Sequence, residues 1–158
     1  MYKRQAHIGA VQIGDVEIDP FGGDSVTVNA YFGIDGVQPM IDICKKRDKG
    51  IFVLVKTSNP SSGELQDKDL EGKSLYHTLG DLCEEWGQQA MGSYGYSAVG
   101  AVVGATYPKQ LEEMRKALPH TFFLVPGYGA QGGGAKDVAA AFDQNGMGAC
   151  LLYTSRCV

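Results

Sequence analysis

The stretch Thr121-Phe122-Phe123-Leu124-Val125-Pro126-Gly127-Tyr128-Gly129-Ala130-Gln131-Gly132-Gly133-Gly134 passes from a continuous apolar run into a glycine-rich turn. A run without polar alternation marks a strand covered on both faces, as in parallel sheets with helical crossovers. Residues 135–142 then read as a short helix, so the glycines occupy a connection following the C-terminal end of a strand. Ligands gather at that end in parallel α/β folds, open or closed. Small residues let main-chain N–H groups converge, and a helix N-terminus adds positive potential, so phosphate is the guest that suits such a turn. Gln131, the only long polar side chain in the turn, has the reach to bridge two parts of a ligand. Taken alone, the pattern also fits a flexible turn with no ligand.

Outward from this stretch, the same alternation repeats. Residues 25–29 are β-branched and read as a strand, and residues 37–46 as a helix with Met40, Ile41 and Cys44 on one face and Pro39 in its first turn. Residues 51–55 are a second apolar strand. Residues 74–91 show Leu75, Leu79, Leu82, Trp86 and Ala90 at spacings of three and four, the signature of an amphipathic helix. That spacing assigns Trp86 to the core rather than to a ligand platform. A strand at 98–103, a helix at 108–118 opened by Pro108, the strand at 121–125, the helix at 135–142 and a strand beginning at Gly148 complete the order β-α-β-α-β-α-β-α-β. Such alternation means parallel strands with helical crossovers.

Composition excludes several functions. Hydrophobic residues make up 44% and charged residues 20%, which fits a globular domain rather than a disordered chain. A net charge of −4 with no basic stripe gives no case for nucleic-acid binding. No apolar run approaches the ~20 residues of a membrane helix, and no signal-peptide layout is visible. Cys44, Cys83, Cys150 and Cys157 form no CxxC pair and read as buried or free thiols in a reducing compartment, so the cytoplasm is the expected location. His7, His77 and His120 lack metal-ligand spacing, and no metal site is expected.

Two further segments lie at strand ends. Thr57-Ser58-Asn59-Pro60 carries hydroxyl and amide groups able to read the edge of a polar heterocycle; a plain Ser/Asn turn before proline is the competing reading. Residues 59–73 form a long polar connection, either a lid over a site or a solvent-facing insertion. Lys56 reads as a solvent- or loop-facing lysine at a strand end rather than as a new catalytic ammonium, and Asp67-Lys68-Asp69 as a solvated charge run.

In order, the segments ValThrValAsn–AlaTyrPheGly, PheValLeuValLysThrSerAsnPro, ValValGlyAlaThrTyrPro and PheLeuValProGlyTyrGlyAlaGlnGlyGly resemble the bacterial orotidine 5′-phosphate decarboxylases over residues 6–149. The resemblance implies an α/β fold, a partial TIM (β/α)8 barrel of about five parallel strands with intervening helices, lacking the first three strands. It also implies a parent homodimer, orotidine 5′-phosphate or UMP as partner, and no metal or organic cofactor. By the same resemblance the turn at 126–133 grips phosphate, Gln131 spans phosphate and pyrimidine, and Ser58 contacts the pyrimidine. The expected substrate-binding residues are Ser58, Asn59, Pro126, Gly127, Gln131, Gly132 and Gly133.

Catalysis in that family depends on an AspXLysXXAsp segment preceded by a further Lys. An ammonium stabilises the carbanion left by CO2 and then protonates it, while carboxylates organise the site. That segment does not occur in these 158 residues; Lys3-Arg4 has no Asp at the required distance. No catalytic residue is therefore expected, and the chain is expected to be inactive by itself. Other phosphate-binding TIM-barrel lyases or synthases, and a noncatalytic nucleotide-binding module, are the alternative readings. Residues 1–5 and 150–158 are expected to be non-native extensions. Codons permitted for Met1–Gln5 (GTG TAT AAG AGA CAG) and for Cys150–Ser155 (TGT CTC TTA TAC ACA TCT) are reverse complements over their shared length and resemble a transposase sequencing adapter. Arg156, in a Thr-Ser-Arg resembling the family's phosphate-binding arginine motif, is excluded from the expected site on that ground.

Overall fold

The computed structural model describes residues 7–19, 21–129 and 131–152. The extension expected at 1–5 and residues 153–158 of the one expected at 150–158, Arg156 among them, thus lie outside the described residues, as does Ala130 of the glycine-rich turn.

The chain opens with a small antiparallel hairpin, β1 (Val11–Ile13) and β2 (Val16–Ile18), turned at Gly14-Asp15. It then enters the α/β alternation: β3 (Ser25–Val28), α1 (Ile34–Arg47), β4 (Gly50–Lys56), α2 (Gly63–Gln66), β5 (Asp69–Leu70), β6 (Lys73–Ser74), α3 (Leu75–Gly87), β7 (Val99–Val103), α4 (Pro108–Ala117), β8 (Phe123–Pro126), α5 (Ala135–Val138) and β9 (Ala149–Leu152). Five strands form one parallel sheet in the order β3-β4-β7-β8-β9. They curl into half a barrel with the helices between them. Cys150–Leu152 continue β9 in register with Leu124–Pro126.

Both faces of the sheet are apolar, as expected of parallel strands. Along β4, Ile51, Val53 and Val55 are buried in the core against the helices, whereas Phe52 and Leu54 are half-buried on the opposite face. The helices supply Val37, Met40, Ile41, Leu111 and Met114 to that core. Truncating one of these aliphatic side chains to alanine costs about 2–5 kcal/mol.

Several boundaries differ from expectation. The first long helix begins at Ile34 rather than at 37, which moves Pro39 into the second turn, where it forgoes the hydrogen bond to the Asp35 carbonyl. Asp35 in the first turn and Lys45, Lys46 and Arg47 in the last complement the helix dipole, and Asp48 closes the helix in a left-handed conformation. In α3 the buried stripe is Tyr76, Gly80, Cys83, Trp86 and Gly87, with Leu79 and Leu82 partly buried beside it. The stripe is thus rotated by one residue from the leucine series, because small side chains let α3 lie close to its neighbours. Trp86 is in the core. The helix expected over 135–142 is one α turn continued by a 3-10 turn at Ala139–Ala141.

The 59–73 connection is not a bare loop. It contains a 3-10 turn at Pro60–Ser62, the short helix α2 and the hairpin β5–β6.

Candidate functional site

The C-terminal ends of β4, β7 and β8 bring three connections together. Main-chain bonds fix their register: the Gly104 N–H donates to the Lys56 carbonyl at 2.7 Å, and the Ala105 N–H donates to the Pro126 carbonyl at 2.8 Å. Gly104 lies so close to the β4 end that a Cβ there would stand 2.8 Å from Ser58 Cα and 2.9 Å from its nitrogen. Thr106 Oγ1 then donates to the Ser58 carbonyl at 3.0 Å.

Gly127 is the meeting point. A Cβ on it would lie 3.0 Å from Ser58 Cβ, 3.2 Å from Gln131 Oε1 and 3.3 Å from Thr106 Cγ2. Its φ of 93° is also one that L side chains rarely adopt. Ser58 and Gln131, 73 positions apart in sequence (131 − 58), are therefore neighbours across this glycine. Among the described residues, neither the Ser58 hydroxyl nor the Gln131 carboxamide takes a hydrogen-bond partner, which leaves both free for a ligand.

The glycine-rich turn holds itself together. The Gly133 N–H donates to Gly127 O at 3.1 Å, Gly132 N–H to Gly129 O at 2.8 Å, and Gly129 N–H to Gly133 O at 2.8 Å. These three amides, which sequence reasoning would offer to an anion, are used within the turn. The Gly134 N–H is capped by Asp137 Oδ2 at 2.8 Å. Gly133 packs on Ala105, where a Cβ would stand 2.8 Å from the alanine methyl.

Asn59 is exposed and engaged locally: its Oδ1 accepts from Thr57 Oγ1 at 2.6 Å and its Nδ2 donates to Ser61 Oγ at 3.1 Å. Thr57 is clamped from the far side, its N–H donating to Gln66 Oε1 at 2.9 Å while Gln66 Nε2 donates back to Thr57 Oγ1 at 2.8 Å. Tyr107 closes the arrangement, its hydroxyl donating to the Asn59 carbonyl at 3.1 Å and accepting from Ser62 Oγ at 3.2 Å.

Lys56 faces the 59–73 connection, as one of its two expected readings has it, but it does not face solvent. It is wholly buried, 0% exposed, and its Nζ lies 2.6 Å from Asp67 Oδ1 and 4.3 Å from the centre of the Tyr107 ring. A register shift between Leu54 and Lys56 breaks the alternation of β4, so Val55 and Lys56 are both buried. Asp67 is accordingly an ion-pair partner rather than part of a solvated run. Burial, foremost, raises the Tyr76 phenol above its ordinary range, so it stays a neutral donor to Glu113 Oε2 at 3.1 Å. Lys56, Gln66, Asp67, Thr106 and Tyr107 are the residues that sequence reasoning missed. Only the Thr-Tyr-Pro at the end of β7 carried a local signal, a polar pair at a strand end.

The profile of the orotidine 5′-phosphate decarboxylase / HUMPS family matches residues 8–150. The chain belongs to this family. It is 52% identical over 141 residues to the orotidine 5′-phosphate decarboxylase of Rhodopirellula baltica, covering 88% of this chain and 47% of that protein. The Caldicellulosiruptor bescii orotidine 5′-phosphate decarboxylase is 45% identical over 151 residues, with 96% of this chain and 49% of that protein covered. Among solved structures, the Leishmania donovani OMP decarboxylase superposes with a TM-score of 0.68 at 34% identity, over 82% of this chain and 47% of that one. The chain spans about half the length of the curated relatives it matches. The half-barrel thus matches about half of the TIM barrel of such a solved OMP decarboxylase. Among the described residues, no helix is long and apolar enough to cross a membrane, and no group of three His, Cys, Asp or Glu side chains is placed to hold a metal ion.

Proposed function

We propose that this chain carries the pyrimidine- and phosphate-reading side of an orotidine 5′-phosphate decarboxylase site, and that it binds UMP without turning over orotidine 5′-phosphate. The observation that carries the reading is the meeting of Ser58, Thr106 and Gln131 around Gly127. A hydroxyl and a carboxamide without protein partners suit the donor and acceptor edge of a pyrimidine. The adjoining glycine turn, with Pro126, Gly127, Gly132 and Gly133, suits a phosphate by its lack of obstructing side chains; its Gly132 and Gly133 amides would have to exchange their bonds within the turn to donate to one. Gln131 stands between the two and reaches either. Asn59 shapes this end of the site through its turn rather than by offering its side chain.

The AspXLysXXAsp segment on which the chemistry depends does not occur in the 158 residues. Lys56 does not replace it, because its ammonium is covered and paired with Asp67. The parent enzyme is proposed to be a cytoplasmic homodimer that completes UMP synthesis without metal or organic cofactor.

Calorimetric titration with UMP tests the binding half of this reading. The expected result is saturable binding that weakens in Ser58→Ala and Gln131→Ala; no binding by the folded chain would overturn it. Decarboxylation, followed as loss of orotidine 5′-phosphate absorbance, tests the other half. Turnover well above background from purified chain would show that the missing cluster is not required.

A further inference from the structure

The ammonium of Lys56 is the one fully buried charge among the described residues, and the decarboxylation chemistry has no use for it there. An uncompensated buried charge is costly, so the fold must supply partners at fixed positions. It supplies three, from three different elements. Asp67 follows α2 and accepts at 2.6 Å; Tyr107 caps α4 with its ring centre 4.3 Å from Nζ; Tyr76 lies in the first turn of α3 at 5.6 Å. Two of these partners lead directly to the pyrimidine-reading segment. Tyr107 holds the Asn59 carbonyl through its hydroxyl, and Asp67 is next in sequence to Gln66, which clamps both the amide and the hydroxyl of Thr57. Lys56 itself is joined covalently to Thr57.

We propose that Lys56 is a positioning residue: its ammonium, paired with Asp67 and set over Tyr107, pins residues 57–68 against the barrel mouth and so fixes Ser58 toward the pyrimidine. The role is indirect, because Nζ is shielded from any ligand. It rests on the reading of Ser58 as a pyrimidine contact, whereas the pinning itself does not. Among the described residues, the glycines of the phosphate-side turn are held by hydrogen bonds to one another and none is bonded to Lys56, so the device separates the two halves of ligand recognition.

The test uses the whole chain with Lys56→Met, which keeps the unbranched length and removes the charge, and with Asp67→Asn. In the ligand-free protein, both variants are expected to speed amide exchange across 57–68 by about tenfold while β7 and β8 amides keep their protection. UMP affinity is expected to fall about tenfold in each, with the double variant no weaker than the worse single one, and inorganic phosphate affinity unchanged. Should Lys56→Met fail to fold, Asp67→Asn decides alone, since the Asp67 side chain is 44% exposed and outside the core. Unchanged exchange across 57–68 overturns the proposal, as does an equal loss of UMP and phosphate affinity, which would indicate a merely structural role. Failure of the unaltered chain to bind UMP would overturn the functional reading alone; the exchange pattern still decides whether Lys56 pins the segment.

Discussion

Thr106 Oγ1 donates a hydrogen bond to the Ser58 carbonyl at 3.0 Å, which ties the end of β7 to the end of β4 across the floor of the candidate site. A bond of this kind contributes about 0.5–1.5 kcal/mol, and more when its loss strands a buried acceptor. Thr106→Val keeps the shape and removes the donor. It is expected to lower unfolding free energy by about 1 kcal/mol and to weaken UMP binding several-fold by freeing Ser58. Urea denaturation and calorimetry measure the two effects. An unchanged UMP affinity would mean that Ser58 is held by Gly104 and the main chain without help from Thr106.

Gly127 and Gly95 separate backbone strain from obstruction. Both have positive φ, 93° and 80°, so alanine at either is strained by roughly 1–2 kcal/mol. Nothing lies within 4 Å of a Cβ at Gly95, whereas at Gly127 it would meet Ser58, Gln131 and Thr106. Gly95→Ala is expected to shift the denaturation midpoint and leave UMP affinity intact; Gly127→Ala is expected to lose affinity as well. Equal affinities in the two variants would show that UMP does not sit where Ser58, Thr106 and Gln131 meet around Gly127.

The legible part of the fold was the part set by hydrophobic periodicity. Ile51 to Val55, Val99 to Val103 and Phe123 to Val125 read as parallel strands because an uninterrupted apolar run has little else to become between glycines and polar turns. The glycine turn and Ser58 were legible through their place after strand ends. Lys56 was not, because strict alternation assigns it a face that the irregularity after Leu54 cancels. Its partners Asp67, Tyr76 and Tyr107 are 11, 20 and 51 positions away (67 − 56, 76 − 56, 107 − 56), and no local pattern links them. The hairpin β1–β2 did leave a signal, Gly14-Asp15 between two short alternating runs, which is a two-residue turn sequence. Its apolar side chains Val11, Ile13, Val16 and Ile18 are exposed, so no burial pattern reinforced it.

Arg115 fastens the opposite end of the sheet. Its guanidinium donates to the carbonyls of Leu118, of Thr121 at 3.0 Å and of Gly148 at 3.2 Å, and lies 4.3 Å from the Phe123 ring centre. One side chain thus joins the end of α4 to the starts of β8 and β9. Arg115→Met keeps much of the apolar stem but removes charge-assisted hydrogen bonds to three carbonyls, of which those of Leu118 and Gly148 retain main-chain donors, at about 2–4 kcal/mol. The melting temperature is expected to fall by roughly 5–15 °C. Arg115→Lys should recover only part of this, since an ammonium lacks the planar fork. UMP affinity should not change, because the residue stands at the N-terminal ends of the strands. A melting temperature within a degree of the parent's would remove Arg115 from the forces that hold the half-barrel closed.

Two buried thiols give the stability curve an alkaline limb. Burial pushes the Cys44 thiol from its ordinary 9.0 up to about 11, and burial followed by the nearby Glu84 charge pushes the Cys83 thiol up further. A folded-state pKa above the unfolded one means that the native chain keeps its proton longer. The stabilisation is fully present below pH 9 and is lost as pH rises from 9 through 11. Tyr76 and Tyr96, whose phenols burial also raises, act in the same direction. Unfolding free energy measured in urea is therefore expected to decline steadily between pH 9 and pH 11, and to decline less steeply in Cys44→Ala/Cys83→Ala. The double variant should be less stable than the parent at neutral pH, from lost packing, and the two curves should converge as the solution becomes alkaline. Parallel curves across that range would mean that neither thiol ionises on unfolding in the way its burial requires.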